Sequence, residues 1–482
     1  MPFSGILERC FFGMPGQVSI RVRAARLANG YAAARSAGMI FSRRGPDRIA
    51  GYREHHIDPS DHEADEEVGV CFPMKNFLLL LVACGLSISC LFSADPPAPK
   101  FEAVTIDDKI QIGYGVAVAD VDGDKLSDIL LADKKQFVWY RNPGGDQGKW
   151  VKHLIAENLT KNDNVCLAAQ DIDGDGKCEL AVGAEWNPGD TVNSGAVFYM
   201  IAPADRTRPW TPVKLHAEPT THRMRWMRLD EKKWGLVVLP LHGRGNKNGE
   251  GAGVKVLLYH PPVQLDDPKG EWTTELIDKS MHMTHNFDVD RRAGAVGYPS
   301  ILLGGKEGVA YRQIGRSGFI QWGKAAGAGC PDGAGEVRSG SFRGDRPFIA
   351  AVEPMHGNRL VAYWFDAEVR QSGEPSRRER LLTDKLTEGH ALACGDLLGA
   401  GSDQIVVGWR GTPGKEGSTH GIALWTPLDP NGEKWRESVV DDGGMACEDL
   451  QLADLDGDGK LDIVASGRAT TNVKVYFNRT GE

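Results

Sequence analysis

One nine-residue acidic pattern occurs three times in this chain, and it restricts the possible folds more than any other sequence feature. The copies begin at Asp120, Asp171 and Asp454 and read DVDGDKLSD, DIDGDGKCE and DLDGDGKLD. An alternating apolar segment precedes each copy and another follows it, which is typical of two β-strands joined by a hairpin loop. A strand–loop–strand unit that recurs along the chain indicates a repeat architecture.

Four weaker copies lie between the second and third full copies, each with a strand, a polar turn and a second strand. Their first strands include Arg225, Asn286, Gly340 and Ala391. All seven units continue into a third, aromatic strand, and a fourth strand often opens with Trp, as at Trp150. We therefore predict an all-β fold, a seven-bladed β-propeller with four-stranded antiparallel blades and acidic hairpin loops, over residues 95–482.

A propeller must also close its ring. The segment 101–106 has the pattern of a fourth strand placed before the first unit, whereas the last unit stops after its third strand at Asn478. We predict that this N-terminal strand completes the last blade, because that pairing covers two otherwise exposed strand edges.

The acidic loops offer carboxylates at positions 1, 3, 5 and 9 and a backbone carbonyl at position 7, which suits Ca²⁺. An EF-hand requires Glu at position 12 and a helix after it, but this position is Leu131, Val182 or Ala465 within a predicted strand. The alternative is a hairpin turn that is simply rich in Asp and Gly. Because converging carboxylates repel one another without a cation, we predict up to three structural Ca²⁺ sites. The predicted ligands are Asp120, Asp122, Asp124, Asp128, Asp171, Asp173, Asp175, Glu179, Asp454, Asp456, Asp458 and Asp462.

Through these three loops and their flanking strands, residues 101–482 resemble the FG-GAP/VCBS repeat family of β-propellers. Propellers of this family serve in adhesion, scaffolding, polysaccharide binding and lyase chemistry. The resemblance therefore implies the fold but no single function.

Ionisable residues concentrate in the connections between strands four and one and between strands two and three. In a propeller these connections lie on the face opposite the acidic loops, and seven of the ten histidines after residue 100 fall within them. Histidine serves as a proton shuttle or metal ligand, and arginine binds carboxylates or sugar hydroxyls. We predict a ligand site at this mouth of the channel, with catalytic candidates His222, His242, His285, His390, Arg223 and Arg244. The same predicted mouth includes Tyr114, Trp186, His282, His356, Arg410, Glu448 and Arg468.

The segments HRMRW at 222–226 and HGRG at 242–245 are similar to the propeller part of sugar dehydratases of the aldos-2-ulose dehydratase type. This resemblance implies that a propeller-borne histidine and an additional divalent metal remove water from a keto-sugar. The chain has no room for the cupin domains of those enzymes, which leaves their full activity in question.

Two functions remain open at this point. The first is a propeller that binds carbohydrate, another small molecule or a protein; the second is a sugar lyase or dehydratase with a histidine as general base. A binding module favours exposed aromatic residues at the mouth, whereas an enzyme needs converging ionisable groups, and ionisable groups predominate here. A formal net charge of −9 argues against nucleic acid as a partner.

The order of residues over 74–94 is that of a secretory signal, with Lys75, an apolar run over 77–83 and small residues up to Ala94. We predict cleavage near Ala94 and export to the periplasm, the cell surface or the medium, with no other membrane-spanning segment. A lipid anchor at Cys84 is the alternative. Residues 1–73 are arginine-rich and aperiodic, and we predict that they are a disordered, non-native extension before a true start at Met74.

Overall fold

A computed structural model describes residues 95–145, 148–289, 299–313, 333–369 and 375–482, together with short strands at 10–13, 17–20, 70–73 and 320–321. The chain divides into two compact units, 1–94 and 95–482. The first unit contains an antiparallel sheet of β1 (Cys10–Gly13), β2 (Gln17–Ile20) and β3 (Val70–Pro73). Apart from these strands, the predicted extension over 1–73 and the predicted leader over 74–94 lie outside the described residues.

The second unit contains seven four-stranded antiparallel sheets, which confirms the predicted seven-bladed propeller. The first strands of blades one to seven are β5 (Gly115–Ala119), β9 (Cys166–Gln170), β13 (Thr221–Arg228), β17 (Thr284–Val289), β21 (Glu336–Phe342), β25 (Gly389–Gly395) and β29 (Cys447–Ala453). The second strands are β6 (Asp128–Ala132), β10 (Glu179–Ala184), β14 (Trp234–Pro240), β18 (Ser300–Gly305), β22 (Arg346–Glu353), β26 (Gln404–Trp409) and β30 (Asp462–Gly467).

The outer half of each blade consists of the third and fourth strands. The third strands are β7 (Gln136–Arg141), β11 (Ala196–Ile201), β15 (Val256–His260), β19 (Gly308–Gln313), β23 (Arg359–Val369), β27 (Gly421–Pro427) and β31 (Asn472–Asn478). The fourth strands are β8 (Val151–Glu157), β12 (Thr211–Leu215), β16 (Thr273–Asp278), β20 (Ile320–Gln321), β24 (Pro375–Thr383), β28 (Trp435–Asp442) and β4 (Phe101–Asp107). The described part of the chain forms no helix, and so no helix there is long and apolar enough to cross a membrane.

The ring closes as the sequence predicts. Strand β4 pairs antiparallel with β31, with Phe101 opposite Asn478, so the seventh blade combines the first strand of this unit with the last three. The two strands that would otherwise be edges in the open ring therefore satisfy each other's backbone groups.

The hydrophobic core is a ring of seven clusters among the described residues, one at each interface between adjacent blades. The cluster between blades one and two, for example, contains the fully buried Phe137 and Trp139 together with Met200. Full burial of one such apolar side chain contributes roughly 1.5–3 kcal/mol. Because the apolar residues pack between blades, the polar side chains of the inner strands are left to line the axis of the ring.

Asn142, directly after β7, links two blades through its side chain. Its Nδ2 donates to the Ser127 carbonyl at 2.9 Å and to the Leu455 carbonyl of blade seven at 2.8 Å. Asn478, the last residue of β31, makes the equivalent bond and donates to the Leu397 carbonyl of blade six at 2.7 Å. The two asparagines therefore hold together the loops that join strands one and two in neighbouring blades.

We expect Asn142→Ala to lower the free energy of unfolding by about 1–3 kcal/mol, because it leaves two carbonyl groups without their donor. Chemical denaturation of the full chain measures the change. Asn193→Ala is the control, because Asn193 is exposed and its side chain contacts only Asp190 in the same loop. Equal stability of the Asn142→Ala variant and the wild type would contradict the assigned role.

Candidate metal and ligand site

Four β-bulges position the side chains at the mouth of the channel. In blades three, four, six and seven the first strand carries one extra residue near its start, between Thr221 and Arg223, Thr284 and Phe287, Gly389 and Ala391, and Cys447 and Asp449. The residues within these bulges are His222, His285 with Asn286, His390 and Glu448. A bulge re-aims a side chain that regular pairing would point elsewhere, so distant blades direct their polar residues to one place.

Three of the mouth histidines form a compact cluster. His285, His356 and His390 each offer a ring nitrogen within 4.8 Å of the other two, and Nε2 of His285 lies 2.7 Å from Nε2 of His356. The ring of His222 is adjacent, with its centroid 4.7 Å from that of His285. The sequence placed these residues at one mouth, and the structure brings them into contact.

The hydrogen bonds at Nδ1 determine which ring nitrogens are free to accept. Nδ1 of His222 lies 2.7 Å from the His285 carbonyl, and Nδ1 of His390 lies 2.7 Å from the Glu448 carbonyl. Nδ1 of His285 lies 3.0 Å from Oε1 of Glu336. Because carbonyl and carboxylate oxygens accept, each of these Nδ1 atoms carries the proton, and in a neutral ring the lone pair is then on Nε2. In His285 this lone pair faces Nε2 of His356.

Burial keeps these rings neutral. The pKa of His222, His285 and His390 lies well below its usual value because the rings are removed from water, and nearby cationic groups, including Arg223 and Arg410, lower it further. Burial, with Arg410 nearby, lowers the pKa of His356 to about 4. Neutral imidazoles with free lone pairs are the form of histidine that binds metal ions.

His356 comes from the turn between β22 and β23 rather than from a bulge. Its backbone φ is +53°, a left-handed conformation that is uncommon for a residue with a side chain. The turn is held by a hydrogen bond from the Gly357 amide to the Pro354 carbonyl at 2.7 Å. This backbone shape directs His356 towards β17 and β25, whose histidines complete the cluster.

The cluster lies in a cavity of about 360 Å³ that also contains arginine, glutamate and aromatic side chains. Glu448 accepts hydrogen bonds from Arg410 at 2.9 Å and from Arg468 at 2.8 Å. Trp186 stacks on His222 with ring centroids 4.9 Å apart, and Tyr114 lines the same cavity. The volume is within the range of small-molecule sites.

Glu336 is a buried residue that the sequence analysis did not single out. It lies at the start of β21, accepts from Nδ1 of His285, and also accepts from Nδ2 of Asn286 at 2.7 Å. A carboxylate on the far nitrogen of a metal-binding histidine orients the ring and increases its basicity. Its position in the sequence could have indicated this role, because Glu336 begins the first strand of a blade, where other mouth residues also lie.

We expect Glu336→Gln to weaken zinc binding at the histidine cluster by about 10- to 100-fold. The neutral amide is a weaker hydrogen-bond acceptor for Nδ1 of His285 than the carboxylate is. Isothermal titration calorimetry with Zn²⁺ measures the affinity. Glu275→Gln is the matched control, because Glu275 contacts the exposed His260 at 3.3 Å on the outer strands. Unchanged affinity in the Glu336→Gln variant would exclude this positioning role.

The structure does not bring every predicted catalytic residue into the cavity. His242 follows Leu241, which lines the cavity, but His242 itself is not a lining residue. Arg244 is about half exposed, donates to the Val192 carbonyl at 2.9 Å and lies 3.6 Å from Glu218 on the rim. His282 lies in the bend before β17, and its Nδ1 contacts Glu307 at 2.7 Å.

On the opposite face, each full acidic loop brings three carboxylates together. The groups are Asp120, Asp122 and Asp128; Asp171, Asp173 and Glu179; and Asp454, Asp456 and Asp462, with ligand oxygens within 4.8 Å in each. Burial and the neighbouring carboxylates raise the pKa of Asp128 and Glu179 to about 7 and that of Asp462 to about 6. Such groups resist ionisation unless a cation is bound.

Position 5 of each loop supplies the fourth predicted carboxylate, and its part in cation binding stays a prediction. Asp124, Asp175 and Asp458 lie outside these groups, and each accepts from the backbone amide two residues later, at 2.9, 2.7 and 2.8 Å. The side chain at position 5 therefore caps the turn. Position 1 also accepts hydrogen bonds from two backbone amides in each copy. These bonds help to fix the backbone conformation of the loop.

Two protein families match parts of the chain. The FG-GAP-like repeat matches residues 120–182, which include the first two full acidic loops. The β-propeller domain of aldos-2-ulose dehydratase matches residues 194–365, which include His222, His285 and His356 but not His390. Both resemblances predicted from the sequence are thereby confirmed.

Individual proteins are more distant. Aldos-2-ulose dehydratase from Phanerodontia chrysosporium is 22% identical over 275 residues, which is 51% of this chain and 29% of that protein. Among solved structures, BBS1N in complex with ARL6DN has a TM-score of 0.46 at 11% identity and covers 81% of this chain and 99% of that one. Sqt1 of Saccharomyces cerevisiae has a TM-score of 0.45 at 10% identity, covering 80% and 100%. The chain is thus a β-propeller distantly related to aldos-2-ulose dehydratase and spans less than a third of that protein's length.

Proposed function

We propose that the protein is a metal-dependent sugar lyase or dehydratase whose active site is the histidine cluster at the channel mouth. The observation that carries the proposal is the convergence of His285, His356 and His390, three neutral imidazoles from three different blades, of which His285 and His390 are buried and His356 is partly buried. The distant similarity to aldos-2-ulose dehydratase supports the same reaction class.

The donor set fits a divalent transition metal. Imidazole suits zinc and its neighbours in the first row, and three protein ligands with an open position are typical of catalytic zinc. Glu336 and the Glu448 carbonyl hold two of the rings by their far nitrogens, which is the outer support that metal-binding histidines usually have. A bound zinc ion would supply Lewis-acid polarisation of a carbonyl oxygen.

His222 is the best placed general base. It is not one of the three clustered ligands, its Nε2 has the free lone pair, and Trp186 stacks against its ring. In the proposed elimination, the proton on the carbon beside the carbonyl moves to Nε2 of His222. A carbon–carbon double bond forms as the carbon–oxygen bond at the next carbon breaks, and the departing oxygen takes up a proton and leaves as water or an alcohol.

Carbohydrate binding at the same mouth is part of this proposal. Trp186 is partly exposed in the cavity and offers an aromatic face of the kind that packs on sugar rings, and Tyr114 lies nearby. Arginine and glutamate side chains around it can bind hydroxyl groups. A pure binding module would share these features, so the chemical assay decides between the two functions.

The test incubates the zinc-loaded full chain with neutral keto-sugars and with acidic sugars and follows the ultraviolet absorbance of a conjugated unsaturated product. The expected result is a rise in absorbance that requires both zinc and His222. His260→Ala is the control, because His260 lies on the outer strands of blade three. Saturable sugar binding without product from either sugar class would replace the enzyme proposal with a binding function.

We further propose that the three acidic loops bind structural Ca²⁺ and that the protein acts outside the cytoplasm. The carboxylate groups described above support the first part, and the signal-like order of residues 74–94 supports the second. N-terminal sequencing of the native protein tests the leader, and a native peptide from residues 1–73 would contradict the predicted start at Met74.

A further inference from the structure

Arg223 differs from the other arginines at the channel mouth. It lies on β13, is only 6% exposed, and lines both the mouth cavity and a smaller cavity beneath it. Nη1 donates to the Tyr114 carbonyl at 3.1 Å, whereas Nε is buried without an acceptor. Within the described residues, Arg223 forms no ion pair with a carboxylate.

The carboxylates at the mouth are already engaged by other groups. Glu448 pairs with Arg410 at 2.9 Å and with Arg468 at 2.8 Å, and Glu388 pairs with Arg410 at 2.9 Å. Glu336 holds His285 and Asn286. In the part of the chain that the structure describes, none of these carboxylates is therefore in ion-pair contact with Arg223.

A second buried carboxyl group lies near Arg223 without pairing with it. Asp449 lines the smaller cavity with Arg223 but accepts from the Val116 amide at 3.0 Å and lies beyond ion-pair distance of Arg223. Burial raises the pKa of Asp449, and the Arg223 guanidinium acts in the opposite direction. A buried guanidinium without a paired anion is unfavourable in the free protein, and a ligand anion would relieve that cost.

We propose that the ligand of this cavity is an acidic sugar whose carboxylate pairs with Arg223. Guanidinium matches a carboxylate in shape and charge, and the pairing is stronger in a site removed from water. The residues that line the mouth cavity include three guanidinium groups, those of Arg223, Arg410 and Arg468, and one carboxylate, that of Glu448. A metal ion at the histidine cluster would add further positive charge.

The inference rests on the proposed function only for its chemical outcome. If the carboxyl group of the sugar activates the neighbouring C–H bond, the proton is lost from the carbon that bears the carboxyl group. The oxygen substituent on the next carbon then leaves. The product is then an unsaturated acid. Binding of the acidic sugar by Arg223 does not depend on that step.

The test measures binding of D-glucuronate and D-galacturonate to the zinc-loaded full chain by calorimetry, with D-glucose and D-galactose as neutral counterparts. We expect the acidic sugars to bind about 10- to 100-fold more tightly. Arg223→Met should abolish this preference, and Arg223→Lys should retain part of it. Arg228→Met is the matched control, because Arg228 is an exposed arginine on the same strand that contacts only the carbonyls of the following turn.

Thermal unfolding separates ligand binding from a structural role. If Arg223 serves a ligand, the ligand-free Arg223→Met variant should unfold no earlier than the wild type, and glucuronate should raise the melting temperature of the wild type alone. Early unfolding of both Arg223 variants would assign it a structural role and overturn the proposal. Equal affinity for acidic and neutral sugars, or no binding of either class, would also overturn it.

The outcomes distinguish this inference from the proposed function. Tight binding of acidic sugars without product from any sugar leaves the inference standing and removes the lyase. Product from neutral keto-sugars, together with no preference for acidic sugars in binding, leaves the lyase standing and removes the inference about Arg223.

Discussion

His356→Ala is expected to abolish stoichiometric zinc binding at micromolar concentrations, with a loss of affinity of at least about 100-fold. The variant removes one of the three proposed ligands. His285 and His390 remain, and two ring nitrogens alone cannot hold the ion firmly. Elution of the zinc-loaded protein from a desalting column, followed by metal analysis, measures the bound fraction. Product formation from sugars should fall in parallel if the proposed function is right.

The matched control is His260→Ala, because His260 is on β15, partly exposed and paired with Glu275 away from the cavity. His356 also lies on a turn, so its replacement should change the melting temperature of the metal-free protein little. Retention of one zinc per chain after His356→Ala would show that the ion binds elsewhere. By contrast, the His222→Ala variant should still bind one zinc ion per chain, because His222 is proposed as the general base and not as a metal ligand.

Removal of calcium is expected to destabilise the propeller strongly. A site held at 100 times its dissociation constant adds about 2.7 kcal/mol to the free energy of unfolding, so three sites together should shift the melting temperature by roughly 5–10 °C. Chelation with EDTA, followed by thermal unfolding with and without added Ca²⁺, measures the shift. Asp128 and Asp462 are the proposed ligands whose burial makes an unbound carboxylate most unfavourable.

Asn replacements locate the effect. Asp128→Asn and Asp462→Asn should each remove about a third of the calcium-dependent shift, because each lies in a different loop. Asp205→Asn is the control, an exposed carboxylate on the same face outside the three groups. Equal melting temperatures with EDTA and with Ca²⁺ would mean that the loops are plain hairpin turns, held by the bonds from their own backbone amides.

The sequence predicted where the candidate site lies, at one mouth of the channel, but not which side chains contact one another there. His222, His285 and His390 follow a small or β-branched residue at the start of a first strand, and Glu448 follows Cys447 in the same way. This pattern marks the four bulges and could have been read as such. His356 and Glu336 were less evident, because a turn with a left-handed residue and a strand without a bulge bring them to the same point.

His242 and Arg244 show the opposite case. Their glycine-rich segment predicts a close approach to a ligand, but the chain there folds over the rim, where Arg244 meets Glu218 and Lys247 pairs with Glu250 through a small backbone bridge. A local pattern cannot say whether a long loop turns towards the axis or away from it. That choice depends on contacts with blades two and four.

The sequence by itself determined the number of blades, the strand order within each, the closure through residues 101–106 and the acidic loops. These features follow from local alternation and from a repeated turn, which act over a few residues. Only the tertiary structure decided which side chains share the cavity, because His285, His356 and His390 are 71 and 34 positions apart in succession and meet solely through the curvature of the ring. The tertiary structure likewise decided that no carboxylate among the described residues forms an ion pair with Arg223, because the charge of a side chain is local but its neighbours depend on the whole fold.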